Sequence, residues 1–289
     1  MKLIHILLPQ LNSKPRNSIL APITAGDKIP KIIHQTYHSK SLPYSLHENA
    51  EKIKALNPDW NYRFYDDVAI IDFIRENYDP LILCYFNKIN PRYGAAKADL
   101  FRYLLMYQCG GVYLDIKSSL QMPLTEALNV DDCFVLSQWK DRHNYAYDKW
   151  GSHSEIQHIP GGEFQQWYIA SAPGHPFLKA VIENVLRNID TYIPSLHGVG
   201  KDGVLRLTGP IAYTLAIEPL RHLHRYRFAH SRSDLGFQYS IFSGSDGHNR
   251  LFGTHYSELT ESIINLEITQ EFLERTILFL KRIRNFVFF

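Results

Sequence analysis

The chain has 289 residues, 45% of them hydrophobic and 21% charged, enough for one large α/β domain or two small ones and too apolar for wholesale disorder. Its net charge of +2 gives no global electrostatic reason to bind nucleic acid. Tyr and Phe are abundant, 18 and 16; such rings suit carbohydrate faces and ordinary cores alike.

In chain order, MKLIHILLPQLNSKP has only a brief apolar stretch before polar residues and Pro15. It is too short to cross a bilayer and shows no cleavage site, so residues 1–28 are expected to form an irregular lead without an anchor. Lys31–Thr36 (KIIHQT) is a β-branched run and the first expected strand. Leu46–Leu56 reads as helix and stops at Asn57-Pro58. Trp60–Tyr65 alternates large and polar residues, a second strand. Asp66 and Asp67 can cap a helix over Val68–Glu76, and Pro80–Asn87 is another apolar helix. Asn90-Pro91 offers an N-cap followed by proline at the first helical position for a long helix to Gln108, with Gly110 as its C′ residue.

A short strand, Val112–Leu114, then ends on Asp115, and Cys133–Ser137 is a further strand. Residues 141–162 form a long polar, aromatic-rich loop, a type often functional. Its Tyr145, Tyr147, Trp150 and His153 can clamp a sugar or simply pack. Phe164–Ser171 reads as strand, residues 173–176 as turn and Phe177–Asn188 as helix. Thr208-Gly209-Pro210 opens a helix to Ile217. Strands alternating with helices predict an α/β fold with a mainly parallel sheet and helices on both faces.

Residues 29–265 form the expected domain and 266–289 a C-terminal helix. Within it Glu271–Phe289 mixes apolar residues with Arg275, Lys281, Arg282 and Arg284. That pattern suits a membrane interface or a helix docked on the domain with solvated charges. Cys84, Cys109 and Cys133 are odd in number and lack metal-site spacing. They read as buried thiols of a reducing compartment. The expected location is cytoplasmic, peripheral at the inner membrane face if the tail is interfacial.

The chemistry concentrates in AAKADLFRYLLMYQCGGVYLDIK, residues 95–117. Asp99 and Arg102 stand three residues apart and share a helix face, inside a segment so apolar that burying them unpaired is costly. They form a plain intrahelical pair or reach a bound sugar. Asp115 ends a strand, where ligands bind in open α/β sheets; it caps a turn, binds hydroxyls or holds a divalent cation. No Gly-x-Gly-x-x-Gly follows the first strand, which disfavours a Rossmann oxidoreductase.

Ala98-Asp99, Arg102-Tyr103, Gly110-Gly111, Tyr113 and Asp115 together resemble the signature of glycosyltransferase family 32. IPKIIHQTY (29–37), NPDWNYRFYDD (57–67), YIASAPGHPFL (168–178) and TGP (208–210) resemble other blocks of that family. The resemblance implies a GT-A fold with a single Rossmann-like mixed sheet. It also implies a nucleotide-diphosphate sugar donor (UDP or GDP) and retaining transfer of a hexose, the acceptor being a glycan or lipid-linked oligosaccharide in surface polysaccharide synthesis. By the same resemblance His34, Gln35 and Thr36 line the base and ribose pocket, Asp99 and Arg102 bind the donor sugar, and Tyr113 packs beside the nucleotide. Asp115 is then the first acid of an Asp-x-Asp metal motif, and Gln166 stands where relatives carry an amide near the anomeric carbon. Asp115, Arg102 and Gln166 are the catalytic candidates.

Lys117 departs from that pattern, replacing the second acid. Asp115 then holds Mn²⁺ or Mg²⁺ with His255, or the Lys117 ammonium takes over the diphosphate charge, or Lys117 faces solvent. Lys97 is a further candidate for a donor phosphate, and His175 reads as a helix-start residue. Two other functions stay open: a nucleotide-sugar binder without turnover, and a phosphosugar transferase.

Overall fold

The computed structural model describes residues 18–140, 150–242 and 256–287. The chain enters through an irregular segment anchored by buried Leu20 and by Gly26, whose amide donates to Pro173 O (2.9 Å). It then forms β1 (Ile32–Thr36), α1 (Tyr44–Leu56), β2 (Asn61–Tyr65), α2 (Asp67–Asn77) and α3 (Pro80–Lys88). Asp66 caps α2, accepting from the Ala69 amide (2.8 Å).

The long apolar helix is α4 (Gly94–Cys109), and it starts three residues later than Pro91 suggests. Asn90 is committed elsewhere: its amide bonds Ile263 O, its Nδ2 bonds Ser262 O, and its Oδ1 accepts from Arg92 N in a local turn. At the other end Gly110 and Gly111 have φ of 62° and 104°. A Cβ on Gly110 would meet Pro173 N at 2.6 Å and one on Gly111 would meet Ile32 O at 2.6 Å. Only glycine turns the helix straight into a strand in that space.

That strand is β3 (Gly111–Leu114), followed by β4 (Ser119–Leu120), α5 (Leu124–Ala127), β5 (Phe134–Leu136) and β6 (Tyr168–Ser171). Then come α6 (Pro176–Thr191), α7 (Pro194–His197), α8 (Gly200–Leu207), α9 (Pro210–Ile217), β7 (Arg227–Phe228), β8 (Phe237–Gln238) and α10 (Ile268–Val287). The main sheet has the order β2-β1-β3-β6-β5-β7, and β4 pairs with β8 in a separate ribbon. Strand β1 is parallel to β2 and β3, and β5 to β7, but β6 runs antiparallel to both β3 and β5.

The sheet is therefore mixed but mainly parallel as expected, with β6 reversed against five strands that run the same way. A parallel neighbour needs a crossover, usually helical, and the described chain between β5 and β6 supplies only a 3₁₀ turn at Ser154–Ile156. Strand β6 also starts later than Phe164. The Phe164 amide donates to Thr214 Oγ1 (2.8 Å) and the Gln166 carbonyl accepts from Arg102 Nη1 (2.8 Å), so those groups leave the ladder.

Two apolar layers sandwich the sheet. One holds α4 with Leu100, Phe101, Leu104 and Leu105 packed against Phe177, Val181, Ile182 and Val185 of α6. The other holds Ile33, Val112, Leu114, Trp167 and Phe237. Each fully buried Leu or Phe contributes about 1.5–3 kcal/mol. His175 is the N-cap of α6, its Nδ1 accepting from Phe177 N (3.3 Å), as a helix-start residue should. Of the three thiols only Cys133 is buried; Cys109 is half-buried and Cys84 exposed. Cys84 lies on α3, among whose side chains only Ile82 and Phe86 are buried.

Candidate active site at the end of β3

Helix α4 descends from the rim of the sheet where β1, β2 and β3 end. Because it turns directly into β3, its first turns lie beside the end of the strand it feeds. That return brings Asp99 and Arg102 against Asp115. Arg102 Nη2 lies 3.2 Å from Asp99 Oδ1 and Nη1 lies 3.1 Å from Asp115 Oδ1. The same Nη1 donates to Gln166 O, and the guanidinium Cζ sits 4.9 Å from the Tyr113 ring centre. One cation thus ties two carboxylates from two elements together.

Asp99 is held on its other sides. Gln166 Nε2 donates to its Oδ1 (3.1 Å) and Thr208 Oγ1 to its Oδ2 (2.9 Å). Tyr103 OH donates to Thr208 O (2.8 Å) and to Gln166 Oε1 (3.3 Å), which fixes both partners. Burial pushes the Asp99 carboxyl upward, opposed by Arg102, Thr208 and Gln166. Burial works to lower the Arg102 pKa, but Asp115, Tyr113 and Asp99 outweigh it and hold the guanidinium charged. Asp99 and Arg102 are buried, whereas the Asp115 side chain is 22% exposed and is the cluster's opening to solvent.

The ends of β1 and β3 steady Asp115. Its amide donates to Trp167 O (2.8 Å), and its carbonyl accepts from Gln35 Nε2 (3.2 Å) and Ser118 N (2.8 Å). Tyr62 OH donates to Gln35 Oε1 (2.8 Å). Thr36 Oγ1 lies 3.1 Å from Tyr113 OH, which lies 3.4 Å from Asp115 Oδ1. Gln35, Thr36, Tyr113, Gln166, Asp99, Arg102 and Asp115 therefore form one connected network.

Of the described candidates, His34 and Lys97 stand apart from it. His34 does not line a pocket: it is fully buried, with Nδ1 3.1 Å from Tyr65 OH and Nε2 3.0 Å from Gly110 O. Its position in β1 turns it to the α4 side, away from the strand end, and burial lowers its pKa to about 4. Lys97 projects toward α3, its Nζ 4.5 Å from the Phe86 ring centre, where burial lowers its pKa against the pull of Asp67. His255 lies outside the described residues, as do Tyr145 and Tyr147. Trp150 packs on Trp139 and Tyr239, and His153 Nε2 lies 2.8 Å from Glu163 Oε2.

Lys117 sits two residues past Asp115 in the Asp115–Ser118 turn. It is half-buried, its Nζ 2.9 Å from Tyr239 OH and 4.3 Å from that ring centre. Tyr239 leads into a cavity of about 140 Å³ lined by Gln138, Trp139, Gln165, Trp167 and Arg232. This cavity flanks the ionic cluster; Asp99, Arg102 and Asp115 do not line it. Tyr239 is the contact that the motifs miss. The TGP block does point to Thr208, whereas nothing in the sequence singles out Tyr239.

Among the described residues the side chains around Asp115 do not by themselves make a site for a resident divalent ion, and His255 lies outside those residues. Among the described residues no three His, Cys, Asp or Glu side chains gather where they could hold a metal. Asp115 is already paired with Arg102, and Lys117 adds a second cation where a second acid would be needed.

The mixed six-stranded sheet flanked by helices is a GT-A-like glycosyltransferase fold. The glycosyltransferase domain of the YGT toxin, in its ligand-free crystal structure, superposes with a TM-score of 0.50 at 10% identity, covering 87% of this chain and 90% of that one. Residues 43–135 match the family described as glycosyltransferase sugar-binding region containing DXD motif. Inositol phosphoceramide mannosyltransferase 2 of Schizosaccharomyces pombe is 26% identical over 200 residues, 69% of this chain and 49% of that protein. Mannosyl phosphorylinositol ceramide synthase SUR1 of Saccharomyces cerevisiae is 37% identical over 100 residues, 35% of this chain and 25% of that protein. These matches make the chain similar to DXD-type, family 32-like glycosyltransferases, the family match itself falling on residues 43–135. The chain spans about half the length of the first of these relatives and a quarter of the second.

Proposed function

We propose that the chain transfers a hexose from a nucleotide-diphosphate sugar to a hydroxyl of a glycan or lipid-linked acceptor, with retention at the anomeric carbon. The observation that carries this reading is the bridging of Asp99 and Asp115 by Arg102 at the end of β3, with Gln166 bonded to both ends of the α4 pair. Such a network is preorganised: its donors and acceptors are fixed before a ligand arrives, so little reorganisation is needed as charge develops. Asp99 and Arg102 hold the hexose hydroxyls, and Asp115 faces the bond that breaks. The similarity to an inositol phosphoceramide mannosyltransferase and to a mannosyl phosphorylinositol ceramide synthase favours mannose and an inositol-bearing acceptor.

In the reaction the bond from the anomeric carbon to the diphosphate oxygen breaks, and the acceptor oxygen bonds that carbon from the same face. The acceptor proton passes to the departing diphosphate oxygen, so no protein base is required. Lys117 balances the charge of the leaving diphosphate, after its ammonium turns from Tyr239 toward the ligand. Fixed positive charge is worth most here because the growing negative charge sits in a water-poor site.

A binder without turnover is the second reading, favoured by Lys117 at the second motif position. Incubation of the chain with UDP- and GDP-hexoses and acceptor glycans, followed by nucleotide chromatography, separates the possibilities. Release of nucleoside diphosphate that depends on acceptor supports transfer. Monophosphate release indicates phosphosugar transfer, and binding without release indicates the binder. Asp115→Asn should lower turnover about 10²–10³-fold, as loss of one electrostatic stabiliser does, while the thermal midpoint stays close to wild type. Near-normal turnover of that variant refutes the role given to Asp115.

A further inference from the structure

Helix α10 docks through one face and leaves the opposite face uncovered. Gln270 Nε2 donates to the carbonyls of Ile189, Asp190 and Tyr192 at the end of α6 (3.1, 3.2 and 3.1 Å). Glu274 Oε2 accepts from the Ser195 amide (3.0 Å), Lys281 Nζ donates to the Ser195 carbonyl (2.6 Å), and Ile277 is buried. These four side chains recur every three or four residues and so make a single face.

Ile268, Phe272, Phe279 and Ile283, spaced by one, two and one helical turns, project from the other side. They are 87%, 69%, 63% and 44% exposed. Singly exposed apolar residues are ordinary, but a continuous stripe of large ones marks an interaction surface. A helix facing water carries polar residues on that side.

Charge decides the occupant. From Arg275 to the end of the helix every charged side chain is cationic: Arg275, Lys281, Arg282 and Arg284. By helical position Arg275 and Arg282 border the apolar stripe; the Arg275 side chain is 82% exposed, with its Nη2 3.9 Å from Glu271 Oε2, so the cations outnumber the one acid on this side. A second copy packed on this face would bring those like charges together, whereas lipid phosphates would meet them with opposite charge. No helix among the described residues is long and apolar enough to span a membrane, which leaves an orientation along its surface.

The geometry points to α10 as an interfacial helix that docks the domain on an anionic lipid bilayer, Phe272 and Phe279 entering the acyl boundary and Arg275 and Arg282 meeting lipid phosphates. This inference does not depend on the transfer reaction. The test uses the full chain, cosedimented with vesicles of phosphatidylcholine alone or enriched in phosphatidylglycerol. Partition should be about tenfold or more stronger on the anionic vesicles and should fall as salt rises. F272S/F279S should abolish it with an unchanged thermal midpoint, since both rings point away from the fold. R275Q/R282Q should reduce it to the phosphatidylcholine level. Equal partition of wild type and F272S/F279S overturns the inference. So does failure to sediment with either vesicle, or a dimer in light scattering that F272S/F279S dissolves without any vesicle binding.

Discussion

At the scale of single residues, the second position after the strand-ending acid separates this chain from the Asp-x-Asp pattern. Lys117 places an ammonium two residues from a carboxylate that already shares Arg102 with Asp99. Two acids there would leave net negative charge for a metal to cancel, whereas one acid and a lysine do not. The wild-type chain is therefore expected to keep its transferase turnover after exhaustive chelation, and Lys117→Ala to lose about 10²-fold in kcat. Lys117→Asp is expected to make turnover depend on added Mn²⁺. Initial rates with and without a chelator check all three, and abolition of wild-type activity by chelation contradicts the lysine role. Asp99, Arg102 and Asp115 were legible in the sequence because a three-residue helical spacing and a glycine stop before a strand encode their positions locally. Thr208, 109 positions from Asp99, is brought to that carboxylate only by the packing of α8 and α9 near α4. The pocket role of His34 came with the resemblance to the family's first strand, which carries over a position but not the side its ring takes; here the ring reaches Tyr65 OH and Gly110 O.

At the scale of elements, the direct passage from α4 into β3 sets the site. Gly110 and Gly111 reverse the chain with no intervening loop, so a change at either glycine moves the strand end and the helix start together. Gly111 has φ of 104° and no room for a methyl group against Ile32 O. Gly111→Ala is expected to destabilise the fold by about 2 kcal/mol or more, from strain and contact combined. Urea denaturation checks this, and a change below about 0.5 kcal/mol, the range of neutral surface substitutions, shows that the turn relaxes easily. The glycine pair was readable because its reason is local. The direction of β6 was not: it depends on what connects β5 to β6, and that irregular stretch carries no periodicity. Asn90-Pro91 misled for a related reason, since its capping groups are recruited by Ser262 and Ile263, more than half the chain away.

At the scale of the whole molecule, two buried histidines and one half-buried one tie stability to pH. Burial is the main cause that lowers the pKa of His34, His175 and His197 to about 4 each. His34 lies within the sheet layer, His175 caps α6 and His197 ends α7, so the three report on separate parts of the fold. In the unfolded chain each takes a proton near pH 6.5. Between about pH 6.5 and 4 the unfolded state therefore binds more protons than the native one, and stability must rise with pH across that window. The contribution is fully present above pH 6.5 and is lost as pH falls through 4. Asp99 works in the opposite sense, because burial raises its pKa and favours the protonated acid in the fold; one such group offsets only part of three histidines. The thermal midpoint is expected to be flat from pH 8 to about 7 and to fall steadily from about 6.5 to 4.5. His197→Asn should make that fall shallower without affecting turnover, since His197 accepts from the Ile193 amide far from Arg102. A midpoint that holds level to pH 4.5 would show that these rings become charged in the native fold at little cost.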